Sequence, residues 1–143
     1  MTDDDVVAAC RHLAAAMGAF EARVAERLGV GPTDLRAINL LEDGGVHPSV
    51  IASGLGVTRS TVTALVDRLE AAGLVRRTPD PGDRRAVLVE LTPSTWRDLA
   101  DLYGPAGRRV GATAAAWSDE TRARVVEGIG ELAAAFDGPH DGA

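Results

Sequence analysis

Apolar residues recur every three or four positions along most of this chain, and the breaks in that rhythm divide it into elements. Val6, Val7, Cys10, Leu13, Met17, Phe20, Val24 and Leu28 form one stripe, which predicts a single amphipathic helix over residues 4–28, closed by Gly29 and Gly31. A second helix is expected after Pro32, with Thr33 as its cap, Leu35, Ile38 and Leu41 as its buried side and the run Asp43, Gly44, Gly45 as its end. Pro48 suits the first position of a short helix on which Ile51 and Leu55 share a face, and Gly56 supplies the turn that follows. Thr58 reads as the N-cap of the next helix. Val62, Leu65, Val66 and Leu69 are its inner stripe, which leaves Arg59, Ser60, Thr63, Ala64 and Asp67 on other faces.

Gly73, tolerant of the left-handed conformation, marks the end of that helix, and the pattern then becomes that of strands. Residues 74–77 and the apolar, β-branched run 86–91 predict a hairpin, separated by the turn-rich residues 78–83. Arg84 and Arg85 fall where the loop rejoins the second strand, so they are expected to project from the body. From Pro93 another helix begins, with a bend or break expected between Tyr103 and Gly111 because of Pro105 and the glycines. Ser118 is placed to cap a last helix, with acids in its first turn and Val125, Val126, Ile129, Leu132, Ala133 and Phe136 as its apolar side.

Helix, turn, helix, strand, arginine-tipped loop and strand, in that order, are a winged helix-turn-helix. The expected fold class is mostly α with a small β-hairpin wing, organised as an N-terminal helix (residues 1–30), a winged helix-turn-helix domain (31–92) and C-terminal helices (93–143). The run LGVTRSTVTALVDRLEAAGLVRR (residues 55–77), with Asp83, Arg84, Arg85, Leu91 and Thr92 after it, resembles the MarR family of bacterial transcription regulators. The likeness is close over residues 35–92 and holds in outline for the whole chain. It implies a homodimer that binds pseudo-palindromic operators in double-stranded DNA and, in many members, responds to small phenolic or lipophilic ligands. Two positions depart from the family's pattern. Ala64 stands where many members carry an arginine after the threonine of the helix, and Thr95 stands where a glycine often follows the second strand.

A winged domain of about 60 residues is too small to cover three further amphipathic helices. Interdigitation of the residues before 30 and after 105 with a second copy would cover them and place two recognition helices about one DNA turn apart. A monomeric helical bundle is the alternative.

Composition modifies this picture in two ways. The net charge of −6 and pI near 5.0 run against a nucleic-acid partner, because phosphate neutralisation dominates non-specific affinity. Residues 58–92 nevertheless hold six arginines (59, 68, 76, 77, 84, 85) against five acids (67, 70, 80, 83, 90), so the negative charge lies elsewhere. Specific contacts must then supply more of the affinity, and strong salt sensitivity is expected. One cysteine, no apolar run near the ~20 residues of a membrane span and an acidic start together lead to the expectation of a cytoplasmic protein without membrane association.

The candidate DNA-binding residues are Thr58, Arg59, Ser60, Thr61, Thr63 and Arg68 on the recognition helix and Arg76, Arg77, Arg84 and Arg85 on the wing. Arginine reaches guanine edges, and the hydroxyls contact bases or phosphates. By resemblance Arg85 is the minor-groove residue, whereas Arg76 and Arg77 serve either as phosphate contacts or as structural anchors. Asp83 is expected to pair with Arg84 or Arg85 and shape the loop. Cys10 invites comparison with peroxide-sensing relatives, but it lies on an apolar stripe without the neighbouring tyrosines of those proteins and reads as a buried structural thiol. Cys10, His12, His47 and His140 form no metal-ligand pattern, and no cofactor or enzyme motif stands out. By resemblance, His12, Met17, Phe20, Arg36 and Trp96 are the candidate walls of an effector site. Two functions stay open at this point: a DNA-binding regulator, read as the repressor of a promoter-overlapping operator, and an acidic winged-helix module that binds protein.

Overall fold

The structure is a computed structural model that describes residues 1–137; His140 lies outside the described residues. Six helices and one hairpin follow one another within them. They are α1 (Asp3–Leu28), α2 (Pro32–Asn39), α3 (Pro48–Leu55), α4 (Arg59–Ala71), β1 (Val75–Asp80), β2 (Asp83–Leu91), α5 (Pro93–Ala115) and α6 (Asp119–Phe136).

Thr2 and Asp5 start α1 with a reciprocal cap: the Asp5 carboxylate accepts from Thr2 N at 2.7 Å, and the Thr2 hydroxyl accepts from Asp5 N at 3.4 Å. At α2 the expected cap moves. Pro32, whose fixed φ suits the first helical position, leaves Gly31 as the cap and carries Thr33 into the first turn. This helix also ends earlier than expected, at Asn39. Leu41 is still buried, because a tight turn in which its N–H reaches the Ile38 carbonyl at 3.0 Å directs it inward. Gly56, at φ 67°, closes α3, and the Thr58 hydroxyl caps α4 through Thr61 N at 3.3 Å.

The strands are longer and the turn shorter than the sequence indicates. Only Pro81 and Gly82 connect them, and Pro79 is accommodated because a two-stranded ribbon leaves one side of each strand unpaired. Register runs from Val75 opposite Leu91 to Pro79 opposite Val87 and then jumps to Asp80 opposite Asp83. Arg84, Arg85 and Ala86 are therefore bulged out, without partners on β1. At the base, Val46 adds a bridge to Val89 through bonds of 3.0 and 2.8 Å.

Contacts divide the chain into two compact units, Met1–Leu102 and Tyr103–Ala143. The first contains the core. Ile38, Leu41, Ile51, Val62, Val66, Val75 and Val89 are fully buried there, and Leu99 is the last buried residue. The threonine that departs from the family's glycine finds a place in it. Thr95 is 1 % exposed and its hydroxyl shares a hydrogen bond with that of Thr92 at 2.9 Å. The Thr92 hydroxyl also donates to the Gly73 carbonyl at 2.8 Å, tying the end of α4 to the start of α5.

In the second unit none of the residues 103–137 is buried. Of the bend or break expected near Pro105, the break is absent: a proline removes one amide donor, and the surrounding hydrogen bonds carry α5 past it to Ala115. Ser118 caps α6 through Thr121 N at 3.2 Å, and Arg122 donates to the Trp117 carbonyl at 2.6 Å. Replacing Thr92 by valine keeps the shape and removes the hydroxyl bonds; the expected loss is about 1–2 kcal/mol of unfolding free energy in a urea titration. An unchanged midpoint and slope would show that the Thr92 bonds do not hold the two helices together.

Candidate nucleic-acid interface

Because Val62, Leu65, Val66 and Leu69 are buried, the other side of α4 necessarily faces out. Arg59, Ser60, Thr61, Thr63 and Ala64 are all exposed there. Thr58 Oγ1 lies 3.1 Å from Ser60 Oγ and 2.9 Å from Thr61 Oγ1, which fixes the first turn of the helix. Thr63 donates to the Arg59 carbonyl at 3.1 Å, so its oxygen presents acceptor capacity outward. In front of this face lies an open groove of ≈ 550 Å³. Its walls are His47, Pro48 and Ser49 at the start of α3, Arg59 and Thr63 of α4, and Arg85, Ala86 and Val87 of β2. The bulge in the wing thus brings Arg85 to the same groove as the recognition-helix arginine.

The six arginines of this region separate into two sets. Arg68 reaches back to α2, with its Nη2 2.6 Å and its Nε 3.3 Å from the two Asp34 carboxylate oxygens. That hydrogen bond, and then the aspartate's charge, hold its pKa above the usual arginine value. Arg77 joins β1 to α4 through Asp67 at 2.6 Å and Glu70 at 2.7 Å, and its own N–H donates to Glu70 at 3.1 Å. The bond to Asp67 raises its pKa against the opposing effect of burial, with Glu70 adding to the rise. Arg76 pairs across the hairpin with Glu90 at 2.6 Å. Arg76 and Arg77 are thus bound up in structural ion pairs. Among the described residues no ion pair engages Arg59, Arg84 or Arg85.

Asp83 does not pair with either neighbouring arginine side chain. Its Oδ1 accepts from Arg85 N at 3.0 Å, so it shapes the bulge through the backbone, the unpaired donor being nearer than either guanidinium. Asp80 does the same for the turn, accepting from Gly82 N at 2.8 Å, and its other oxygen meets His47 Nε2 at 3.0 Å. His47 was not among the expected site residues, since a histidine before a helix-starting proline gives no local sign of a partner 33 positions away.

Of the candidate effector residues, Arg36 lines a hollow of ≈ 240 Å³ between α1 and α2, with Gly18, Glu21, Ala22, Ala25, Pro32, Leu35 and Asn39. His12, Met17 and Trp96 are exposed, and Phe20 packs under Arg23, whose guanidinium carbon is 5.9 Å from the ring centroid. Cys10 is half-buried rather than buried, because its stripe on α1 is covered by this chain only near Val24 and Ala25. Among the described residues no cluster of three or more His, Cys, Asp or Glu side chains is arranged to hold a metal ion. No single described helix is long and apolar enough to cross a membrane.

A buried-stripe second helix, an exposed polar face and a wing that carries unpaired arginines define a winged helix-turn-helix protein. The chain belongs to the MarR family, whose family model matches residues 28–86. It is similar to the uncharacterized HTH-type transcriptional regulator YcgE of Bacillus subtilis, 38% identical over 87 residues, which are 60% of this chain and 56% of that protein. YfiV, a second uncharacterized HTH-type transcriptional regulator of the same bacterium, is 30% identical over 112 residues, covering 78% of this chain and 70% of its own length. The chain thus spans little more than half of the first relative. The HTH-type transcriptional repressor NicR of Pseudomonas putida matches half of the chain, 50%, and 44% of itself, at 38% identity. Among solved structures, RV1404 from Mycobacterium tuberculosis shares the fold with a TM-score of 0.73 at 21% identity, over 94% of both chains.

The division of the arginines is testable without any ligand. Arg77→Ala, which dissolves a partly exposed two-carboxylate network, is expected to lower the unfolding free energy by about 1 kcal/mol, whereas Arg59→Ala is expected to stay within about 0.5 kcal/mol of the wild type. Urea titration of both variants decides the matter: equal losses would mean that Arg59 is a structural residue.

Proposed function

We propose that this protein is a cytoplasmic, homodimeric, sequence-specific DNA-binding transcriptional regulator, acting as a repressor at a pseudo-palindromic operator, and not an enzyme. The observation that carries this reading is the convergence of Arg59, Thr63 and the bulged Arg85 on one open groove, with no carboxylate partner for either arginine among the described residues. The exposed side of α4 enters the major groove, where Arg59 reaches base edges and Ser60, Thr61 and Thr63 contact bases or phosphates. Arg85 reaches the minor groove. Arg68, Arg76 and Arg77 contribute by holding α4 and the wing in place.

A second copy of the chain supplies what the second unit lacks. Val126 is 72 %, Ile129 53 % and Phe136 75 % exposed on α6, and Val6, Val7, Leu13 and Met17 are exposed on α1. Such apolar stripes are removed from water by association. The repressor role is supported by the name NicR carries. A small effector fits the reading best at a site the second copy helps enclose, because the ≈ 240 Å³ hollow beside Arg36 is smaller than the ~300 Å³ at which small-molecule sites begin. The acidic protein-binding alternative has no observation in its favour here.

With three unpaired arginines per chain, a dimer neutralises about six phosphates, and log affinity should fall with log salt with a slope of about −5. Arg85→Ala and Arg59→Ala should each weaken binding to a selected duplex by at least about tenfold. Fluorescence anisotropy across a salt series, with a scrambled duplex beside the selected one, measures both quantities. Equal affinity for the two duplexes, or indifference to both substitutions, would defeat the proposal. For the dimer, Ile129→Asp places a charge on the apolar face of α6 and is expected to shift the sedimenting species from dimer to monomer; a wild type that sediments as a monomer at micromolar concentration would overturn it.

A further inference from the structure

The bulge that carries Arg84 and Arg85 sits at the outer end of a two-stranded ribbon, and such a ribbon is only marginally stable in water by itself. At its base the ribbon is secured by the Val46–Val89 bridge and by Arg77, which pairs with Asp67 and Glu70 of α4. Toward the tip, β2 is exposed from Asp83 to Arg85, and the bonds within the tip, Asp80 to Gly82 N and Asp83 to Arg85 N, are local. They define the shape of the tip without anchoring it to the body. His47 provides an anchor. It follows Val46 directly, so the segment that bridges the base of the wing also carries the imidazole whose Nε2 meets Asp80 Oδ2 at 3.0 Å. Asp80 uses its other oxygen for the turn, and one carboxylate therefore joins the body, the tip and the start of the bulge.

Resting on the DNA-binding reading above, we propose that His47 is a positioning residue for operator recognition: its contact with Asp80 sets the angle at which the wing presents Arg85 to the minor groove. Its side chain makes no cap bond to α3, so the helix does not need the imidazole. Both His47 and Arg85 line the groove in front of α4, so a change in wing angle moves Arg85 relative to Arg59. Preorganisation of this kind raises affinity by removing the ordering of the tip from the binding step.

The test is a double-mutant cycle on a duplex selected by the wild-type protein from a randomised library, with hydrogen exchange of residues 80–88 measured on the free protein. His47→Ala should weaken binding by about threefold to tenfold per half-site and accelerate exchange in the wing. In the Arg85→Ala background the same substitution should cost little, because the contact it positions is gone. His47→Gln, whose side-chain amide can donate to Asp80, should restore both affinity and protection. If His47→Ala leaves affinity intact while Arg85→Ala weakens it, the positioning role fails and the DNA reading stands. Fully additive losses would overturn positioning in favour of a direct DNA contact by His47. Failure to enrich any duplex, or indifference to Arg85→Ala, sinks the DNA reading and this role with it; unchanged exchange in His47→Ala removes the anchor irrespective of DNA.

Discussion

Burial of one side of α4 is the constraint on which the rest of this protein depends. Four apolar residues at helical spacing fill the core between α2, α3 and the base of the wing, and that burial fixes the rotation of the helix about its own axis. Once the rotation is fixed, no freedom remains in which residues face outward. Arg59, Ser60, Thr61 and Thr63 become the exposed face because Val62, Leu65, Val66 and Leu69 cannot be. A polar outer surface is thus a consequence of core packing, and its chemistry can vary without loss of the fold. Ala64 illustrates this: the position is exposed, so the absence of the arginine common in the family costs the core nothing and alters only what the helix offers to a groove.

Charge is organised by the same geometry. An acidic chain that binds DNA needs its carboxylates kept from the binding face, and several of them are used up in holding the frame: Asp34 on Arg68, Asp67 and Glu70 on Arg77, Glu90 on Arg76. These pairs are partly exposed, and each adds little to stability. Their larger effect is to cancel charge locally, which leaves Arg59, Arg84 and Arg85 as the cations available at the front. Few unpaired cations on an otherwise negative body give weak attachment to arbitrary DNA, so discrimination between sequences falls to the geometry of helix and wing.

The elements that were legible in the sequence were those determined by local periodicity. The stripes of α1, α3, α4 and α6, the caps at Thr58 and Ser118 and the glycine stops at positions 29, 56 and 73 all follow from neighbours within one or two turns. What escaped depends on distant partners. The ends of β1 and β2 were set too short because Pro79 and the arginines read as loop, whereas cross-strand pairing extends through them around a bulge. Pro105 read as a bend or break, and α5 continues through it. Arg68, expected among the DNA contacts, reaches Asp34, 34 residues away, and for Arg76 and Arg77 the choice between anchor and phosphate contact rests on Glu90, Asp67 and Glu70 across the hairpin and α4. His47 escaped for the same reason.

The core that orders α4 stops at Leu99, and this sets the terms on which the remainder of the chain can be stable. From Tyr103 to Asp137 the chain forms regular, well-capped helix with no buried residue. Caps and intrahelical ion pairs such as Arg124 with Glu120 sustain a helix weakly by themselves, because most helical stability in proteins comes from covering an apolar face. The apolar face of α6 is left exposed, which is the observation behind the proposed second copy. Two identical faces associating around a two-fold axis would also fix the separation of the two α4 helices. In the proposed dimer, covering the C-terminal helices would be coupled to the half-site spacing, which is how an effector at the helical interface would act on DNA affinity.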